Sequence, residues 1–131
     1  RDERGVVTGN GEDITGIWLE SASRDLGAPI PTQIADRLRG REFASFDRFR
    51  EAFWVEIAND PKVSKQFNRL NVERMHEGLS PRAPKKDHAG KRRSYEIHHV
   101  ERLMDGGSLY MIENLRINTP KNHISLHSKG G

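Results

Sequence analysis

Tyr95-Glu96-Ile97-His98-His99-Val100, Asp105-Gly106-Gly107, Glu113-Asn114-Leu115-Arg116-Ile117-Asn118 and Thr119-Pro120-Lys121-Asn122-His123-Ile124-Ser125-Leu126-His127 follow one another in the run that decides the fold of this chain. Thr119 is a good helix N-cap, and Pro120 suits the first helical position, where its missing N–H is no loss. The spacing therefore predicts a helix from here to about His127 or just beyond. Upstream, Tyr95 to Val100 alternates and is rich in strand-forming residues. The Gly-Gly turn brings a second strand, Leu115 to Asn118, into reach. The expected order is strand, loop, strand, helix.

His123 and His127 stand at i and i+4 in that helix, so both imidazoles project from one face at a separation where two ring nitrogens can converge on one ion. His98 and His99 are neighbours in a strand and must point to opposite faces. Two roles suit them better than one. One of the pair, most simply His98, completes a three-histidine site with His123 and His127, and the other, His99, serves as a base. A spare histidine beside the ligands favours a catalytic metal over a structural zinc. Ligand preference favours zinc, nickel or cobalt at three imidazoles, with magnesium a poorer match for binding though possible in activity.

At 131 residues the chain suits one domain with one modest core. Its hydrophobic fraction is 34% and its mean hydropathy −0.82, so the surface is strongly polar. With no cysteine, any metal must be held by His, Asp or Glu. No apolar run approaches the roughly 18 residues of a membrane helix, and no signal peptide is evident. The chain begins at Arg1, as expected of a domain excised from something longer. Residues 1–61 carry eight Lys/Arg against twelve Asp/Glu, whereas residues 62–131 carry fourteen against seven. The basic half is the histidine half, which suits a phosphate-rich partner, since Lys and Arg displace condensed counterions from nucleic acid.

Arg1 to Gly16 is glycine-rich and aperiodic and should be extended or loop. A helical turn is expected over Ser21 to Leu26, closed at Gly27, and a helix capped by Thr32 and ending at Gly40. Phe46, Phe49, Phe53 and Ile57 repeat at helical spacing, capped by Ser45 and stopped at Asn59-Asp60-Pro61, with Trp54 on the flank of this core stripe. Asp60-Pro61 opens a short helix through Val63 and Phe67, and Asn68 to Glu77 forms another, closed by Gly78. His76 and His88 lack partners at ligand spacing and read as surface histidines. Ser80 to Arg93 has Pro81 and Pro84, six basic residues and one acid, and reads as a surface segment that contacts DNA backbone or a docked protein.

The order His99, Asn114, His123 within strand, strand and helix resembles the HNH, or ββα-metal, endonuclease motif. More narrowly, Tyr95-Glu96-x-His98-His99 followed by Thr119-Pro120-Lys121-x-His123-x-x-x-His127 is similar to the C-terminal DNase domains of E-group colicins and S-type pyocins. Gly27-Ala28-Pro29-Ile30-Pro31 and Ser45-Phe46-Asp47-x-Phe49-Arg50-x-Ala52-x-Trp54 extend the resemblance over nearly the whole chain.

The resemblance implies an α+β fold: one mostly helical nuclease domain over 1–131, with a C-terminal ββα-metal (HNH) motif over 92–131. It implies a metal-dependent, largely nonspecific endonuclease acting on double-stranded DNA. Arg4 looks like the arm arginine that contacts the scissile phosphate, and Arg92 and Glu96 look like the charged pair beside the catalytic histidine. Asn114, the middle letter of HNH, would bind loop backbone and so orient His99. A small acidic immunity protein would dock over about Val72 to Arg93, with Leu79, Pro81, Arg82, Lys85 and Lys86 as contacts; several colicins carry an aromatic anchor at the position of Arg82. A monomer is expected apart from that heterodimer. The domain would be secreted within a larger toxin and act in the target bacterial cytoplasm. A zinc-stabilised binding module and an RNase toxin are the alternatives. Single-metal HNH chemistry needs no 2′-hydroxyl nucleophile, which favours DNA.

Overall fold

A computed structural model describes residues 3–129, so the first two and last two residues of the expected 1–131 domain, and the end of the 92–131 motif, lie outside the described residues. Among the described residues, four α-helices and two two-stranded antiparallel sheets alternate with 3-10 turns. The first sheet pairs β1 (Gly5–Val6) with β2 (Glu42–Phe43), so the arm expected to be extended or loop supplies a paired strand. Its partner lies beyond the first helix, a long-range pairing that periodicity over a few residues cannot reveal.

The helical part is built on α2 (Phe46–Asn59), whose first turn is capped as expected by Ser45, its Oγ accepting from Arg48 N–H at 3.3 Å. Phe46, Phe49, Phe53 and Ile57 are buried, but Trp54, expected on the flank, is fully buried as well. The flank of the helix is covered: Trp54 lies 6.1 Å from Trp18, ring to ring, and 4.8 Å from Phe53 on its own helix. α1 (Thr32–Leu38) begins one residue earlier than its expected cap allows. Thr32 is its first residue and spends its hydroxyl on Asp13, at 2.6 Å, leaving Pro31 at the boundary with no side-chain cap. The turn expected at 21–26 is a 3-10 turn over Trp18–Ser23, shifted because Trp18 anchors it through a 2.7 Å bond from Nε1 to Pro29 O.

The helix expected after Asp60 is only a 3-10 turn, Ser64–Gln66. Asp60 does act as a cap, accepting from Val63 N–H at 2.8 Å, while its carboxylate also binds Arg37 at 3.0 Å. The helix expected over Asn68 to Glu77 is α3 (Arg69–His76), which Asn68 caps from just outside, accepting from Asn71 N–H at 2.9 Å. The expected strand, strand and helix follow. β3 (Glu96–His99) pairs antiparallel with β4 (Leu115–Asn118), aligning His98 with Arg116 and His99 with Leu115. α4 (Pro120–Lys129) starts where Thr119 Oγ1 accepts from Asn122 N–H at 3.1 Å. Ile112, Leu115 and Ile117 join the same hydrophobic cluster as the aromatic stripe of α2, so the histidine unit rests on the helical core.

Candidate active site

Two elements, β3 and α4, bring the three histidines together. His98 points from β3 toward α4, where His123 and His127 share one face; the ring centroids lie 5.0, 5.6 and 4.8 Å apart pairwise. One nitrogen of each lies within 4.8 Å of the others. Burial, together with the neighbouring His123, His127 and His99 rings, pushes the His98 imidazole down to about 4, so it is neutral near pH 7 and in the form that ligates.

Glu96 stands two residues before His98 on the same strand. Its Oε1 lies 2.8 Å from His123 Nδ1, which leaves Nε2 of that ring for an ion. Arg92 grips the same carboxylate with both Nε, at 2.9 Å, and Nη2. Burial raises the Glu96 carboxyl, but bonds from Arg92 and His123 outweigh it and hold the group at about 2. A carboxylate on the second nitrogen of a ligating histidine is the arrangement that fixes ring orientation at metal sites. Three imidazoles with one so oriented fit a divalent ion with open positions for substrate.

His99 turns the other way. It is 8% exposed, its ring lies 4.9 Å from that of Phe46, and Nε2 lies 3.1 Å from Leu109 O. A carbonyl can only accept, so Nε2 carries the proton and the basic lone pair is on Nδ1. The loop that presents Leu109 is tied by Asn114: Oδ1 accepts from Glu101 N–H at 2.6 Å, and Nδ2 donates to Glu101 O and Ser108 O at 3.1 and 3.0 Å. Asn114 thus contacts the loop backbone as expected, in the loop whose Leu109 O meets the His99 ring.

Arg4 is exposed and pairs with Glu42 at 3.6 Å, beside a hollow of about 420 Å³ that Ser108, Leu109 and Tyr110 also line. The Gly5 backbone is pressed against the Tyr110 ring, whose hydroxyl donates to Glu3 O at 2.8 Å, so the arm is seated next to the His99 loop.

A cleft of about 460 Å³ runs from His123 along Arg50, Arg82, Lys91, Arg92 and Arg93. Arg50 entered the sequence reading only as part of the α2 motif, with no role assigned, because an arginine on a helix looks like any solvated charge. Beyond Arg82 a larger hollow of about 760 Å³ takes in Phe67, Lys86 and Tyr95. Leu79, Arg82, Lys85 and Lys86 are exposed, whereas Pro81 is buried, its carbonyl accepting from Tyr95 N–H. Pro81 therefore shapes this surface rather than presenting a side chain on it. His76 is exposed as expected; His88 is half-buried, bonded at 2.8 Å to Ala83 O inside the loop.

The Colicin/Pyocin-S2, DNase domain family matches residues 5–129. The chain is 50% identical over 123 residues to colicin-E8 of Escherichia coli, which covers 94% of the chain and 60% of that protein. It is 49% identical over 131 residues to pyocin-S2 of Pseudomonas aeruginosa, covering 100% of the chain and 19% of that protein. It therefore spans less than two thirds of the length of either relative. Among solved structures it resembles the mutant nuclease domain of pyocin S8 with its cognate immunity protein, at 55% identity and TM-score 0.92, over 95% of this chain and 99% of that one. The pyocin AP41 DNase–immunity complex is similar at 48% identity and TM-score 0.93, over 98% and 95%. With a histidine cluster suited to a metal and agreement along nearly its full length, the chain belongs to the colicin/pyocin DNase domain family.

Proposed function

We propose that this domain hydrolyses phosphodiesters of double-stranded DNA with little sequence preference, using His99 as general base and a divalent ion held by His98, His123 and His127. The observation that carries this reading is the opposed setting of adjacent histidines: His98 enters the three-histidine cluster, while His99 is buried and its Nε2 is bonded to Leu109 O. His99 Nδ1 accepts the proton of the attacking water, and the imidazolium that forms keeps its Nε2 bond to the carbonyl. An ion at the three imidazoles supplies Lewis acidity toward the phosphate and its departing 3′ oxygen. Zinc, nickel and cobalt suit the donor set, and magnesium is a weaker match.

Glu96 holds the His123 ring, and Arg92 neutralises Glu96 while facing the cleft where a phosphate enters. Asn114 keeps the 101–109 loop shaped around His99. Arg4, exposed and within reach of the His99 loop, leaves Glu42 to contact the scissile phosphate. The cationic cleft binds the backbone of the duplex, without base-edge readout.

The same reading assigns the exposed Leu79, Arg82, Lys85 and Lys86 to a small acidic immunity protein, with Pro81 supporting the loop; charge complementarity and the immunity partners of the two solved relatives support it. The domain would then be the toxic part of a larger secreted bacteriocin, monomeric until its inhibitor binds, and active in the cytoplasm of the target bacterium.

Plasmid nicking with and without divalent metal, alongside His99→Ala and a metal-binding assay, tests the assignment. Loss of nicking by His99→Ala with metal still bound is expected. A protein that binds metal yet nicks under no divalent ion would instead be a structural zinc module.

A further inference from the structure

Segment 22–28 wraps the junction of β4 and α4 on the side away from β3. Ala28 and Ile117 exchange two backbone bonds of 2.8 Å, and Thr119 N–H donates to Ala22 O at 3.0 Å. Two asparagines then close the contact. Asn118, fully buried at the end of β4, donates from Nδ2 to Leu26 O at 3.1 Å, and its Oδ1 accepts from Asn122 Nδ2. Asn122 Nδ2 also donates to Asp25 O, at 3.1 Å.

The segment is shaped to receive them. Asp25 has φ +53, unusual for a residue with a side chain, and Gly27 has φ +101. A Cβ on Gly27 would fall 2.5 Å from Asn118 Nδ2 and 2.6 Å from Ile117 O, so only glycine permits this approach. The contact grips α4 one residue before His123 and five before His127.

We propose that Asn118 and Asn122, with the Asp25 and Leu26 carbonyls, form a polar clamp that sets how the first turn of α4 is seated and so holds His123 and His127 opposite His98. Both are positioning residues: neither faces the ion, and they act through the helix that carries its ligands. The clamp rests on the three-histidine metal site proposed above. From β3, Glu96 fixes the ring of His123; from the opposite side, the clamp fixes the backbone beneath it. An amide pair with Asn118 buried and Asn122 half-buried suits this task because its bonds are directional, and a small shift of the helix breaks two of them together.

The test compares the intact domain with Asn122→Asp, which keeps the shape but loses the donors, and Asn122→Ala, which loses them without adding charge. Zinc affinity is measured by competition with a chromogenic chelator, cobalt coordination by its visible absorption, and folding by circular dichroism. Both variants are expected to stay folded at 25 °C, to bind zinc about 10–100-fold more weakly, and to show an altered cobalt spectrum. Asn68→Ala, which removes the cap of α3, is expected to lower the melting temperature while leaving both metal readouts unchanged. Affinities of the Asn122 variants within twofold of the parent would overturn the clamp, as would an equal loss in Asn68→Ala. His127→Ala separates the two levels. If it binds zinc as well as the parent, the three-histidine site itself falls; if it alone loses zinc, only the clamp does.

Discussion

Glu96 and His123 are 27 residues apart in the chain, yet Glu96 Oε1 lies 2.8 Å from His123 Nδ1, joining strand β3 to helix α4 across the candidate metal site. Arg92 holds the other side of the same carboxylate. This chain of contacts leaves one nitrogen of His123 that could take an ion and joins the ring to the Glu96 carboxylate. Glu96→Ala should weaken zinc binding about 10-fold or more and depress cleavage, with the fold retained. Titration against a chelator and a parallel nicking assay check this; unchanged affinity would remove Glu96 from the support of the site.

The Asn114 side chain makes three hydrogen bonds to the backbone of the 101–108 segment. Asn114→Ala leaves Glu101 N–H and two carbonyls without their partner, and should cost about 1–3 kcal/mol of stability. Because Leu109 O is the acceptor for His99, cleavage should fall further than stability alone accounts for, while zinc affinity stays near the parent value. Cleavage rates measured well below the melting temperature distinguish the two effects; full activity there would make Asn114 a stabilising residue only.

Arg82 lies where the cationic cleft meets the larger hollow, its backbone N–H on Asn71 Oδ1 and its Nη1 on Ser94 Oγ, at 2.9 and 3.1 Å. Its guanidinium thus faces outward between two concave surfaces. Arg82→Glu should weaken binding of an acidic immunity protein more than it slows DNA cleavage, measured as inhibitor dissociation constant against nicking rate. The reverse order would assign the loop to DNA.

Asp60 is buried, and although burial raises its carboxyl, bonds from Val63 N–H, Gln33 and Arg37 hold it below the ordinary carboxylate value. A carboxyl lowered in the folded state contributes stability that is complete above its unfolded pKa and is lost as pH falls through the folded one. Asp60→Asn should therefore be less stable than the parent at pH 7, by about 2 kcal/mol for charged hydrogen bonds replaced by neutral ones. The difference should shrink as pH drops below about 4. Denaturant melts at pH 7 and pH 3 check the sign; a gap that grows on acidification would refute it.

The sequence by itself determined the elements whose causes are local. Ser45 and Thr119 each cap a helix through one hydrogen bond to an N–H three residues on, so their readings depended only on neighbours. The spacing of His123 and His127, and the opposition of His98 and His99, follow from helix and strand geometry alone. What the tertiary structure decided were contacts between residues far apart in the chain. The arm at Gly5–Val6 became a strand because β2 lies beside it, and Trp54 was buried because Trp18 covers the flank of α2. Thr32 turned its hydroxyl to Asp13 instead of capping α1, and His99 bonds a backbone carbonyl, a group every residue carries and no motif can mark. Local rules act through a few bonds of one segment, whereas these outcomes depend on which segments the shared core brings together.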